Sequence, residues 1–122
     1  MPNTFTTELG RVFIADEVIA TATGLAALDC YGLADMAPRR GVRDSLSGLW
    51  NRDYPGRGVE VRNKPDGLEL DLSIIVSYGT RIPEVAENLR EKVRYTLLET
   101  FGIAVDKVNI SVQGVRITPA DA

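Results

Sequence analysis

Ile74-Ile75-Val76-Ser77-Tyr78-Gly79-Thr80-Arg81-Ile82-Pro83-Glu84-Val85-Ala86-Glu87-Asn88-Leu89 contains the change of period on which the fold turns. An apolar run ends at Ser77, a glycine turn follows, and a proline opens a stretch whose apolar residues recur every three or four positions. Upstream, Leu68, Leu70, Leu72, Ile74 and Val76 alternate with Glu69, Asp71, Ser73 and Ser77, the period of a strand with one wet face. Ile75 breaks that alternation and falls on the polar side. Downstream, Ile82, Val85, Ala86, Leu89, Val93 and Leu97 form the apolar stripe of a helix that starts at Pro83. Glu84, Glu87, Arg90, Glu91, Lys92 and Arg94 form its wet face, and Gly102 is its stop.

The neighbouring segments fit around this unit. Val59 and Val61 alternate with Glu60 and Arg62 before Lys64-Pro65-Asp66-Gly67, a turn in which Pro fixes φ and Gly accepts a positive one. Pairing Asn63 with Leu68 sets Arg62 opposite Glu69 and Val61 opposite Leu70, both favourable pairs. The final strand points Val108, Ile110 and Val112 inward. A phase change to Val115 and Ile117 at Gly114 reads as a β-bulge. Nearer the start, residues 1–9 are polar and read as frayed, and Arg11 to Ile14 read as a short strand. Asp16 is the expected N-cap of a helix with stripe Val18, Ile19, Ala22, Leu25 and Ala26. Gly24 within that helix reads as a point of close approach. Gly32 is its stop, and Leu33 to Met36 a short strand. Residues 37–58 are irregular, with a short helix expected over Asp44 to Trp50. The whole reads as an α+β chain: a two-layer sandwich with a mixed β-sheet and two main helices on one face. A single domain over residues 1–122 is expected, with its core at 11–117 and flexible ends at 1–9 and 118–122.

Composition narrows the function. Histidine is absent, which excludes His-based triads and His-containing zinc sites, and Cys30 is the single cysteine, so no internal disulfide can form. There is no phosphate-cradling glycine motif. Glu69 and Asp71 lie on one strand face with Glu60 near, an arrangement that can share acid–base work, but their alternation with leucines reads as a solvated sheet face. Tyr78 and Arg81 stand at a strand end, where ligands often bind, and read as a turn packed on a helix start. Cys30 reads as a small buried hydrophobe. No catalytic, metal or cofactor-binding residue is expected, and no cofactor. No signal peptide or membrane span is apparent, so a cytoplasmic protein without direct membrane insertion is expected.

The charge distribution is uneven. Six arginines face three acids between residues 39 and 62, net +3, and the rest of the chain carries −6. Arg39, Arg40, Arg43, Arg52 and Arg57 are the expected surface for an anionic partner. Trp50 and Tyr54 among them also allow a KH-like RNA- or anion-binding module, although no two glycines have the G-x-x-G spacing of the KH clamp. Ile75, Val115 and Ile117 are the expected self-association residues, on a sheet face or strand edge left uncovered.

Five blocks, in order, resemble the alkaline-shock or general-stress envelope proteins: Asp16 to Ala27, Cys30 to Met36, Arg57 to Val61, Ile75 to Leu89, and Val105 to Val115. The chain looks like the short, single-domain branch of that family. The resemblance implies a non-enzymatic cytosolic protein of Gram-positive bacteria tied to the cell envelope or to alkaline stress. It implies self-association and a protein partner, such as a membrane-anchored envelope protein, that brings it to the inner face of the membrane. It supplies no catalytic residue.

Overall fold

The computed structural model describes residues 3–37 and 56–117. Thr4–Thr7 (β1) and Gly10–Phe13 (β2) form a small antiparallel hairpin. Helix α1 (Asp16–Leu28) and strand β3 (Leu33–Met36) follow. Beyond them come β4 (Val59–Lys64), β5 (Gly67–Ser77), α2 (Ile82–Phe101) and β6 (Val105–Arg116). The fold is therefore mixed α+β, with two helices and six strands in two sheets among the described residues.

β5 organises the main sheet. Antiparallel β4 pairs with its first half, from Val59↔Leu72 to Lys64↔Gly67, and antiparallel β3 with its second half, at Ile74 to Val76. Parallel β6 pairs along nearly its whole length on the other side, from Leu68↔Val105 to Ser77↔Arg116. β3 and β4 thus share one edge of β5 end to end, and β6 forms the opposite border. The parallel β5–β6 pair requires a crossover, and α2 supplies it. Arg62 stands opposite Glu69 and Val61 opposite Leu70, the register that the charge and apolar pairing predicts. The ladder shifts by one residue between Ile74 and Ile75, where Val112 is followed by Gly114, so the bulge falls at the predicted glycine.

Leu68, Leu70, Leu72, Ile74 and Val76 are all buried, as the alternation requires, and meet Val85, Leu89, Val93 and Leu97 of α2 in one core. Gly102 ends α2 in the left-handed region at φ +70, donating its N–H to Leu98 while Ile103 reaches back to Leu97.

Several expectations need correction. Residues 4–7 are a strand rather than frayed, because Asn3 anchors the hairpin. Its Nδ2 donates to Ile14 O at 2.7 Å, and its carbonyl accepts from Ile14 N. Ala15, not Asp16, is the N-cap of α1, and Asp16 is the first helical residue. The Asp16 carboxylate instead accepts from Asn63 Nδ2 at 2.9 Å, tying α1 to the end of β4. The stripe of α1 is also different. Ile19, Ala20, Thr23, Gly24, Ala26 and Ala27 face inward, whereas Val18 and Leu25 are 46% and 55% exposed. α2 opens at Ile82 with Pro83 second, and Ile82 is exposed. Val112, although it pairs with buried Ile74, is itself 38% exposed. The short helix expected over Asp44 to Trp50 lies outside the described residues.

Candidate functional site

The side of the sheet away from the helices is polar, and two side-chain clusters divide it. At the hairpin end, Arg62 binds both carboxylates that face it across β5. Its Nη2 lies 2.8 Å from Glu69 Oε2 and 3.0 Å from Asp71 Oδ1, and Nη1 donates to Asp71 Oδ2. Asn109 of β6 closes the group from the other side, donating Nδ2 to Glu69 Oε2 at 2.7 Å and to Asp71 Oδ1 at 2.8 Å. Lys64 Nζ adds an ion pair to Glu69 Oε1 at 2.9 Å. Glu69 is consequently buried although charged. Hydrogen bonds from Lys64, Arg62 and Asn109 hold its carboxyl at about 2, below its ordinary 4.5.

That direction opposes acid–base chemistry near neutral pH, which needs a carboxyl raised toward the working pH. The pair at Glu69 and Asp71 is a cross-strand clamp over three strands. It also makes a pH prediction. The folded chain holds the Glu69 proton less tightly than the unfolded chain, so this group stabilises the fold fully above the unfolded value near 4.5. The contribution disappears as pH falls through about 2. Urea midpoints measured from pH 6 to pH 2 should decline across that window, and Glu69→Gln should flatten the decline. An unchanged slope in the variant would remove Glu69 as the cause.

The second cluster lies at the other end of the same face. Asp35 of β3 pairs with Ile75 of β5, and Ile75 with Gly114 of β6. The Asp35 carboxylate draws in two guanidiniums: Arg57 Nη2 at 3.4 Å and Arg116 Nη2 at 3.5 Å. Its other oxygen accepts from Met36 N at 2.8 Å, and Arg57 Nη2 also donates to Met36 O at 3.1 Å. The segment from 38 to 55, which contains four more arginines, leaves and rejoins the sheet here. Ala37 N donates to Ser73 O at 2.9 Å and Ser73 N to Gly58 O at 2.8 Å, so one residue of β5 pins both feet of that segment.

Of the expected anionic-partner surface, only Arg57 is described; Arg39, Arg40, Arg43 and Arg52 lie outside the described residues. Arg57 and Ile75 come together around Asp35. Val115 and Ile117 sit at the same end, 49% and 58% exposed. Val115 pairs with buried Val76, and so belongs to the helix side of the sheet rather than the polar side. Sequence reading missed Asp35 and Arg116 as members of the cluster. Tyr78 and Arg81 stay outside it: both are exposed, and Arg81 Nε reaches Glu84 at 3.7 Å within its own helix turn. Cys30 is half-buried, donates its thiol to Ala26 O at 3.7 Å and is pushed up in pKa by burial, the opposite of a reactive thiolate.

A third feature is apolar. Val18, Thr21, Ala22 and Leu25 of α1, with Glu17 and Phe101, line an open groove on the helical layer. Among the described residues no three His, Cys, Asp or Glu side chains are placed to hold a metal, and no helix is long and apolar enough to cross a membrane.

Fold and surface together define a small α+β domain with a salt-bridged polar sheet face and arginines gathered at one end of it. The chain belongs to the alkaline shock protein family, described as having a cell envelope-related function, and the family model matches residues 4–117. It is similar to the uncharacterized protein YloU of Bacillus subtilis strain 168, with 48% identity over 112 residues, 92% of this chain and 93% of that protein. The uncharacterized protein Spy1614 of Streptococcus pyogenes serotype M6 is 32% identical over 111 residues, 91% of this chain and 92% of the other. The uncharacterized protein YqhY of the same Bacillus strain is 34% identical over 110 residues, 90% of this chain and 80% of its own. No solved structure matches.

Proposed function

We infer that this protein is a non-catalytic cytoplasmic scaffold or adaptor of cell-envelope homeostasis, which works by binding a protein partner and by self-association. The observation that carries this reading is the convergence of Arg57 and Arg116 on Asp35 beside Ile75, at the feet of the arginine-rich segment. A rigid sheet end presenting guanidiniums suits recognition of carboxylates on an acidic protein surface. The family description supports the cell-envelope setting. The partner of this reading is an acidic, membrane-anchored envelope protein, and it alone brings the chain to the inner face of the membrane.

Crosslinking in the native cell followed by affinity capture tests it. Recovery of a membrane-anchored or envelope protein, in a salt-sensitive manner, is the expected result. Recovery of RNA or ribosomes at near-physiological salt would replace this reading with the nucleic-acid module. Turnover of a nucleotide or phosphoester by the purified protein, abolished by Asp71→Asn, would overturn its non-catalytic part.

A further inference from the structure

The long border strand β6 offers a surface of its own. Among the described residues it pairs only with β5, and its outer edge runs twelve residues. A row of unpaired backbone N–H and C=O groups of that length is a template for another strand. Three of its apolar residues or their neighbours also lie open at the C-terminal half: Val112, Val115 and Ile117. Singly these would be unremarkable. They gain meaning from the order of residues along the strand.

Counted outward from Ser111, β6 is nearly self-complementary in an antiparallel sense. Residues directly opposite each other in a sheet share a face. Ile110 falls opposite Val112 of a second copy, both on the helix side. Asn109 then meets Gln113 and Gly114 together, because the bulge places one extra residue there. Past that point Val108 meets Val115, and Val105 meets Ile117. The second irregularity of β6, at Asp106 between Leu68 and Glu69 of the β5 ladder, makes Asp106 and Lys107 together face Arg116. One carboxylate then lies between two cations. Apolar residues meet apolar ones, polar meet polar, and each of the three open apolar residues is given a counterpart.

We propose that two copies of this chain pair edge to edge through β6, antiparallel about Ser111, giving one continuous eight-stranded sheet with all four helices on one side. The proposal rests on the self-association reading above and specifies its surface. A two-fold pairing of this kind uses the same edge on both copies and so closes on itself rather than propagating. Ile75, on the polar face away from the edge, takes no part.

Ser111 is exposed and sits on the axis, where it faces its own counterpart. Ser111→Lys therefore sets two ammonium groups against each other, and Ser111→Glu two carboxylates. Sedimentation of the full chain should show a dimer for the wild type at micromolar concentration. Each variant alone should dimerise at least about tenfold more weakly, and an equimolar mixture should re-form a dimer. Circular dichroism of each variant checks its fold, and recovery in the mixture excludes unfolding as the cause of dissociation. A wild-type dimer that both substitutions leave unchanged overturns the β6 edge and keeps self-association, whereas loss of that dimer on Ile75→Lys moves it to the polar face and also overturns the proposal. A wild type that stays monomeric at high concentration overturns the proposal and the self-association reading together. A β6 edge whose amides are protected from exchange only when a foreign strand is captured overturns the proposal alone.

Discussion

Ile74→Lys should abolish folding, while Ile75→Lys, one residue along, should leave the domain folded. Ile74 is fully buried, paired with Met36 and Val112 on the helix side of β5. A lysine there takes its ammonium into the apolar core on the helix side, whereas the buried Glu69 carboxylate lies on the opposite, polar face. A buried unpaired charge costs several kcal/mol. At about 4 kcal/mol or more, the loss approaches the whole stability of a domain this size, roughly 5–15 kcal/mol. Ile75 projects to the polar face between Asp35 and Gly114. A lysine at that position keeps its head in water, reaches the Asp35 carboxylate, and should cost about 1 kcal/mol or less. Urea denaturation followed by circular dichroism separates the two outcomes. Equal losses from both substitutions would mean that the two faces of β5 are wrongly assigned.

Gly58→Ala, at a buried strand junction, should be the next most damaging change. Gly58 has φ +83, a conformation that costs an L side chain roughly 1–2 kcal/mol. A Cβ there would also press on the Ala37 carbonyl oxygen and come to 3.0 Å from that of Ser73. The Ser73 oxygen cannot move freely. Ser73 O accepts from Ala37 N, and Ser73 N donates to Gly58 O, so the clash falls on the hydrogen bonds that pin both feet of the arginine-rich segment. The combined loss should be on the order of 3 kcal/mol. It should also displace Arg57, the residue next to it. A loss below about 1 kcal/mol would show that the strand junction can yield.

The sheet was legible in the sequence because its signals were redundant. In β4 and β5 the alternation, the Lys64-Pro65-Asp66-Gly67 turn and the opposition of Arg62 to Glu69 all require one register. A shift by one would put Leu70 and Leu72 in water. The bulge near Gly114 and the cap at Gly102 were readable for a similar reason: each combines a glycine with a change in the apolar pattern. The phase of α1 was not readable. From Val18 to Leu28 the helix has no charged residue, so its polarity does not distinguish the inward side from the outward side. Tertiary packing chose Ile19 together with the small residues Ala20, Thr23, Gly24 and Ala27, which let α1 lie close, and left Val18 and Leu25 outside.

The Asp35 cluster was hidden by distance along the chain. Arg57 lies 22 residues from Asp35, and Arg116 lies 81. Each alone looks like an ordinary surface charge. Only the sheet order, with β3 and β6 on opposite sides of β5, places both guanidiniums over one carboxylate. The hairpin of β1 and β2 was missed because Thr4 to Thr7 alone has no burial pattern, and its order comes from the Asn3 bonds to Ile14.

The account stands on the arginine end of the polar face as the place where a partner binds. The most direct measurement is the amount of that partner crosslinked and captured from native cells by the wild type and by the double variant Arg57→Glu, Arg116→Glu, with the fold of each checked by circular dichroism. The account predicts an envelope protein recovered by the wild type and a folded double variant that loses about tenfold or more of it, with the wild-type recovery falling as salt is raised. Equal recovery of the same protein by both, from chains equally folded, would contradict it.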